Sequence, residues 1–361
     1  MYMIMLRIYI LKYFLIINFL CEINKFIRTN RRQKNGIIMI FFVQKKLILF
    51  YNRYKIWHYY RTLLIIMPRP IHVHSTTQQG KRESNEDVEL HQLNLLDDGY
   101  IKDRRYAPID FFIICDGHGG SEVAKHCAPL VKRHLMKNTL NYPLTHSYIC
   151  KIYDFVQKNL ASHEEQIGIE CGCTALVVVR YYDDEGRDYV QVINLGDCRA
   201  VLSRRGLAIP LCKDHKPFWS DEKHRIDNVN KRYGTDFQVH YEAGDWRIHD
   251  LSVCRSFGDI SATPHVTHIP ESFNYPLQND DEFIIMACDG LWDVVQNHEA
   301  VNFVRDHMKN NNIELYEIPG KYPSPEVANS NCIARKLASY AIARGSTDNI
   351  SIYIIFFGKN T

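Results

Sequence analysis

The run Phe111-Phe112-Ile113-Ile114-Cys115-Asp116-Gly117-His118-Gly119-Gly120 passes from five apolar residues straight into an acid flanked by glycine. Phe111 to Cys115 predicts a buried strand, and the glycines after it predict a sharp turn. A carboxylate just past a buried strand is costly unless it is paired or ligates a metal. Taken alone, Asp116-Gly117 reads as an ordinary turn. The arrangement recurs, however, at Glu86-Asp87 after Ser84-Asn85, at Asp289-Gly290 after the apolar run Phe283 to Cys288, and at Asp348-Asn349 beside the run Ile350 to Phe357. Several such ends converging would form an oxygen-rich cage. Oxygen ligands select Mg²⁺ or Mn²⁺ over zinc or copper.

Outward from these points, further strands are predicted over Ala175 to Tyr182, Tyr189 to Leu195 and Ala200 to Ser203, with Asp183-Asp184-Glu185-Gly186 as a hairpin loop. Apolar residues three or four apart predict helices over Ser121 to Lys137, Thr145 to Gln166, Ser220 to Tyr233, His298 to Asn310 and Asn329 to Ala343. Adjacent strands favour antiparallel pairing, with long helices packed outside the sheets.

The net charge of +3 joins two unlike parts. Residues 1 to 66 hold six Lys, six Arg and Glu22 as their one acid, and so carry +11. Residues 67 to 361 keep 32 bases and 40 acids, a charge of −8. An acidic domain argues against a nucleic-acid groove or a metal-dependent nuclease and suits cation binding. The basic segment has no Ala, Ser, Asp or Pro, unlike a folded domain or a cleavable leader. Its early uncharged run, Tyr13 to Cys21, spans nine residues, whereas a bilayer takes about 20. It reads as an extension whose one route to a membrane is weak surface association, or as an upstream stretch joined to a protein beginning at Met67. Residues 67 to 361 read as one domain. Eleven Cys without a paired framework indicate a reduced, intracellular protein.

Eight motifs follow in order: Gly80-Lys81-Arg82-Glu83-Ser84-Asn85-Glu86-Asp87, Cys115 to Gly120, Gly172-Cys173-Thr174-Ala175, Asn194-Leu195-Gly196-Asp197-Cys198-Arg199-Ala200, Asp214-His215-Lys216-Pro217, Arg255-Ser256-Phe257-Gly258-Asp259, Ala287-Cys288-Asp289-Gly290-Leu291-Trp292-Asp293 and Gly345-Ser346-Thr347-Asp348-Asn349. Over residues 78 to 357 the ordered set resembles the protein phosphatase 2C family of metal-dependent serine/threonine phosphatases.

The resemblance implies an α+β fold, a four-layer α/β/β/α sandwich of two antiparallel sheets flanked by helices. It implies that Asp87, Asp116, the Gly117 carbonyl, Asp289 and Asp348 hold two Mg²⁺ or Mn²⁺ ions, with Asp116 bridging. Glu86 would hold a metal-bound water, and Asp197 with Asp293 would offer a weaker third position. Arg82 corresponds to the clamp on the substrate phosphate, a role that suits its planar fork of donors. His118 corresponds to the general acid that protonates the departing oxygen. A water between the two cations would attack phosphorus in line, without a phosphoenzyme. The partner expected is a phosphoprotein, met by a monomer in the cytoplasm or nucleus; a mitochondrial or membrane-associated location is the alternative.

His126-Cys127-Ala128-Pro129-Leu130-Val131-Lys132-Arg133 satisfies the spacing of cysteine-dependent phosphatases. Pro129 removes a backbone donor and the run has no Gly, so it makes a poor phosphate cradle, and Cys127 reads as helix packing. Cys173, Cys198, Cys254 and Asp250 depart from the usual family pattern, and a single Gly234 stands where two glycines are expected. Asn228 to Asp250 reads as the flap beside the site, so these departures bear on substrate preference. A second reading, a catalytically inactive scaffold of the same fold that binds a signalling partner, need not keep acids whose repulsion destabilises the metal-free fold. Because every motif lies downstream of residue 66, a chain starting at Met67 should fold and keep the turnover of the full chain on a phosphopeptide. A soluble but inactive product would refute this.

Overall fold

The computed structural model describes residues 69–93, 109–136, 140–162, 167–183, 185–310 and 332–358. The basic segment 1–66 and the expected boundary at 67 lie outside the described residues. Strands β1 (Ile71–Gln78), β2 (Val88–Gln92), β3 (Asp110–Cys115) and the short β4 (Gly117–His118) lead into helices α1 (Glu122–Leu135) and α2 (His146–Ala161). After β5 (Gly172–Cys173) come two hairpins, β6 (Ala175–Tyr182) with β7 (Asp188–Leu195), and β8 (Arg199–Arg204) with β9 (Leu207–Pro210). Helix α3 (Ser220–Tyr233), the hairpin of β10 (His240–Glu242) and β11 (Asp245–Arg247), and β12 (Phe257–Gly258) follow. The chain continues through β13 (Glu271–Pro276), β14 (Asp281–Ala287), the single turn α4 (Asp289–Trp292), α5 (Asn297–Asn310), α6 (Ile333–Ala343) and β15 (Ile350–Phe357).

The long strands form two antiparallel sheets, one ordered β1-β15-β14-β8-β9 and the other β13-β7-β6-β3-β2. Side-chain alternation explains why they stack. In β3, Phe111, Ile113 and Cys115 pack on Val123, Cys127 and Val131 of α1 and Tyr153 and Val156 of α2. Phe112 and Ile114 face the other way, into a layer with Leu176, Val178, Leu202, Ile284, Met286 and Ile355 from both sheets. On the far side, Ile352, Ile354 and Phe356 of β15 pack with Val301 of α5 and Leu337 of α6. The order is therefore helix, sheet, sheet, helix. Central strands are buried on both faces, which is why they read as continuous apolar runs.

The expected helix over 220–233 has those bounds, and the others shift at their ends. Thr145 caps α2, its hydroxyl accepting from the Tyr148 N–H at 3.3 Å. The helix ends at Ala161, and residues 163–166 of the expected span lie outside the described residues. So do residues 329–331 of the last expected helix, which is described from Ile333. The hairpin at 183–186 forms, with the Asp183 carboxylate accepting from the backbone N–H groups of Glu185 and Arg187. Cys127 is fully buried on α1, with Pro129 inside the same helix, so the run from His126 to Arg133 makes no phosphate loop.

The layer between the sheets carries the fold. Phe112→Ala should destabilise the protein by about 3–5 kcal/mol in urea unfolding. Leu207→Ala, at a side chain 66% exposed, should cost less than about 0.5 kcal/mol. Equal losses would contradict this placement of the core.

Candidate active site

The acids arrive at one end of the sandwich from both sheets. Asp116 follows β3 and Asp87 immediately precedes β2, neighbours in one sheet. Asp289 opens α4 just after β14, and Asp348 lies two residues before β15, its neighbour in the other sheet. Asp197 sits in the turn that carries the chain from β7 in one sheet to β8 in the other. Two donor groups result. Oxygens of Asp87 and Asp116 and the Cys288 sulfur lie within 4.8 Å of one another, as do oxygens of Asp116, Asp197 and Asp289. Asp116 belongs to both.

The cost of this gathering shows in the carboxyl groups. Burial, with the charge of Asp348 adding to it, pushes Asp87 up to about 6, although hydrogen bonds from Ser351 and Cys288 work against it. Burial also raises Asp116 well above the carboxylate range, and the charges of Asp87, Asp289, Asp197 and Asp348 add to it. Asp289 is raised by burial and by Asp197, against the opposing pull of Lys216. Asp87 Oδ1 is buried without a hydrogen-bond partner. Such an orphaned oxygen in a crowd of like charges fits a divalent cation, and the oxygen donors fit Mg²⁺ or Mn²⁺. Burial raises the Cys288 thiol, whose single hydrogen has Asp87 Oδ2 at 3.5 Å and the Asn349 carbonyl at 3.4 Å as acceptors, while the sulfur accepts from the Ser351 N–H.

Around the acids, the chain supplies counter-charges and a frame. Lys216 Nζ lies 2.6 Å from Asp197, 3.8 Å from Asp289 and 3.9 Å from Asp245 on β11. Asp293, expected with Asp197 at a third position, is exposed at the rim. Arg82, largely exposed, donates to Asp348 at 2.8 Å. Asn349 fixes the loop that carries Arg82 and Glu86: its Nδ2 donates to the carbonyls of Gln79 and Ser84, and its Oδ1 accepts from the Glu86 N–H. The Glu86 carboxylate accepts from the Gly120 N–H and the Ser84 hydroxyl, which holds it against the turn that carries Gly117. Gly290 lets α4 and the start of β15 meet, since a Cβ there would stand 2.0 Å from the Asn349 carbonyl oxygen.

His118 is half-buried, and its Nε2 meets both carboxylate oxygens of Asp259, at 2.9 and 2.8 Å. Burial pulls its pKa down, but the Asp259 hydrogen bond and the charges of Asp259, Asp197 and Glu86 outweigh that and raise it. Lys216, Asn349 and Asp259 each lie in one of the eight ordered motifs, but their roles depend on contacts the motifs do not carry. Spacing along the chain does not show which side chains meet across strands.

Residues 71–350 match the protein-family model described as Protein phosphatase 2C. Over 177 residues the chain is 66% identical to a PP2C-like domain-containing protein of Acanthamoeba polyphaga mimivirus, covering 49% of this chain and 99% of that one. A protein of Oryza sativa subsp. japonica described as a probable protein phosphatase 2C is 35% identical, over 77% of this chain and 64% of its own length. In fold, the chain is similar to a serine-threonine phosphatase 2C from Toxoplasma gondii (TM-score 0.60, 19% identity, 80% of this chain and 95% of that one). It is also similar to a C. elegans sex determining protein (TM-score 0.63, 22% identity, 80% and 65%). The chain belongs to the protein phosphatase 2C family.

Carboxyls raised in the fold hold their protons more tightly than in the unfolded chain, so the stability they allow at low pH is lost as pH rises through their folded values. Glu89, pushed up to about 7 by burial and the Asp87 charge, adds to Asp87, Asp116 and Asp289. The imidazoles of His74, His91, His249 and His265, lowered by burial, act in the opposite sense, but only below the ordinary histidine value of 6.5. In chelator, the Tm should therefore fall between about pH 6.5 and 8, and excess Mn²⁺ should restore it most at the upper end. A Tm that holds or rises over this interval in chelator would contradict the crowding of acids.

Proposed function

We propose that this chain removes phosphate from phosphoserine and phosphothreonine in proteins by direct transfer to water, without a phosphoenzyme. The observation that carries the reading is the membership of Asp116 in two donor groups, each within 4.8 Å. Asp87, Asp116, the Gly117 carbonyl, Asp289 and Asp348 would hold two Mg²⁺ or Mn²⁺ ions. When bound, these would make a water nucleophilic near neutral pH and neutralise the phosphoryl oxygens. Glu86, already fixed by Ser84 and Gly120, would orient that water. Arg82 would turn its second face to the substrate phosphate while keeping or releasing Asp348. His118, held at Nε2 by the Asp259 carboxylate, would give its proton to the departing oxygen. A third cation between Asp197 and Asp293 would first have to displace the Lys216 ammonium from Asp197.

Phosphate release from a phosphoserine peptide should require Mn²⁺ or Mg²⁺ and stop with chelator. Asp289→Asn should lower kcat by at least about 10²-fold. Cys127→Ser should leave it within about 2-fold, the thiol being core packing. Full activity after exhaustive chelation, or loss at Cys127 with retention at Asp289, would overturn the proposal.

A further inference from the structure

A ribbon of three very short strands, ordered β12-β5-β4, runs beside the acidic cluster. In its register His118 of β4 and Gly258 of β12 both pair with Gly172 of β5, one from each side. Asp259 follows Gly258 directly, with φ at 45°, a left-handed turn that bulky residues avoid. Its backbone N–H donates to the Cys171 carbonyl at 3.0 Å, which closes the turn. The side chains of His118 and Asp259 therefore converge over the one residue between them that has no side chain. A Cβ on Gly172 would stand 2.3 Å from Asp259 Oδ2 and 2.5 Å from His118 Nε2, in the space that the contact uses.

Asp259 is itself held on several sides. It is 2% exposed and takes a hydrogen bond from the Ser256 hydroxyl. Gln157, buried on α2, clamps the preceding residue with both ends of its amide: Nε2 donates to the Gly258 carbonyl at 2.8 Å, and Oε1 accepts from the Gly258 N–H at 2.9 Å. Among the described residues proposed to act in catalysis, His118 is the one that meets this buried carboxylate. The cost of burying it is met by that contact and by the serine.

We infer that Asp259 is the positioning residue of the reaction: it holds the His118 ring by Nε2 and so presents Nδ1 to the departing oxygen. The inference rests on His118 being the general acid. As the phosphorus–oxygen bond breaks, its electron pair stays on the serine or threonine oxygen, the Nδ1 proton passes to that oxygen, and the Nε2–H remains on Asp259. Asp259 touches neither substrate nor cation. Its effect is confined to the aim of the ring.

The test compares a phosphoserine peptide, whose alkoxide leaving group needs a proton, with an aryl phosphate such as p-nitrophenyl phosphate, which needs none. His118→Gln should lower kcat on the phosphopeptide by about 10²-fold or more and much less on the aryl phosphate. Asp259→Ala should show the same contrast with KM unchanged within about 2-fold, and adding it to His118→Gln should cause little further loss. Asp259→Asn, which keeps the shape and the Ser256 contact, serves if the alanine variant does not fold, with Mn²⁺ binding by calorimetry confirming an intact cleft. Equal losses on both substrates, or fully additive losses in the double variant, would overturn the inference. Absence of the contrast in His118→Gln itself would overturn the general-acid reading beneath it.

Discussion

Like charges brought together at the end of a buried sandwich are the constraint on which this molecule turns. Asp87, Asp116, Asp197 and Asp289 are drawn together from two different sheets, and burial with the neighbouring charges raises the proton affinity of Asp87, Asp116 and Asp289. Such a cluster is held by its surroundings and not by itself. Lys216 and Arg82 neutralise two of its corners. Asp116 is pinned from behind, its N–H donating to the Thr174 hydroxyl and its carbonyl accepting from the Thr174 N–H. A divalent cation would offset the repulsion that burial leaves among these carboxylates.

Much of this was legible in the sequence because the acids lie at strand ends. Phe111 to Cys115, Ala175 to Tyr182 and Ile350 to Phe357 announce buried strands by their apolar continuity, with Asp116 directly after the first and Asp348 two residues before the last. Strands β1 and β2 were not read, since Ile71-His72-Val73-His74-Ser75-Thr76-Thr77-Gln78 and Val88-Glu89-Leu90-His91-Gln92 mix polar residues along sheet edges. There only one face is apolar, and a histidine or threonine on the other face weakens the signal. The pairing of His118 with Asp259 was beyond reach for another reason. The two are 141 residues apart, and their meeting depends on two-residue strands too short for any periodicity to reveal.

The family resemblance and the local chemistry meet at different depths. Motif order places the acids and predicts the layers of the fold. It leaves Lys216 without a role until the structure shows the ammonium between Asp197, Asp289 and the hairpin strand β11. That hairpin carries the exposed Tyr241 and the Trp246 ring beneath Lys223, within the span read as the flap. The hairpin and the charge balance of the acids are thus joined through one lysine.

The layer of interdigitated side chains between the sheets has a metrological role. Because Asp87 and Asp116 ride on one sheet and Asp289 on the other, the spacing of the carboxylates measures the alignment of the two sheets. A slide of one sheet by a single residue, about 3.3 Å, would be comparable to the whole 4.8 Å span of a donor group. Phe112, Leu176, Ile284 and Met286 thus act as a gauge block, setting a tolerance for a site they never touch.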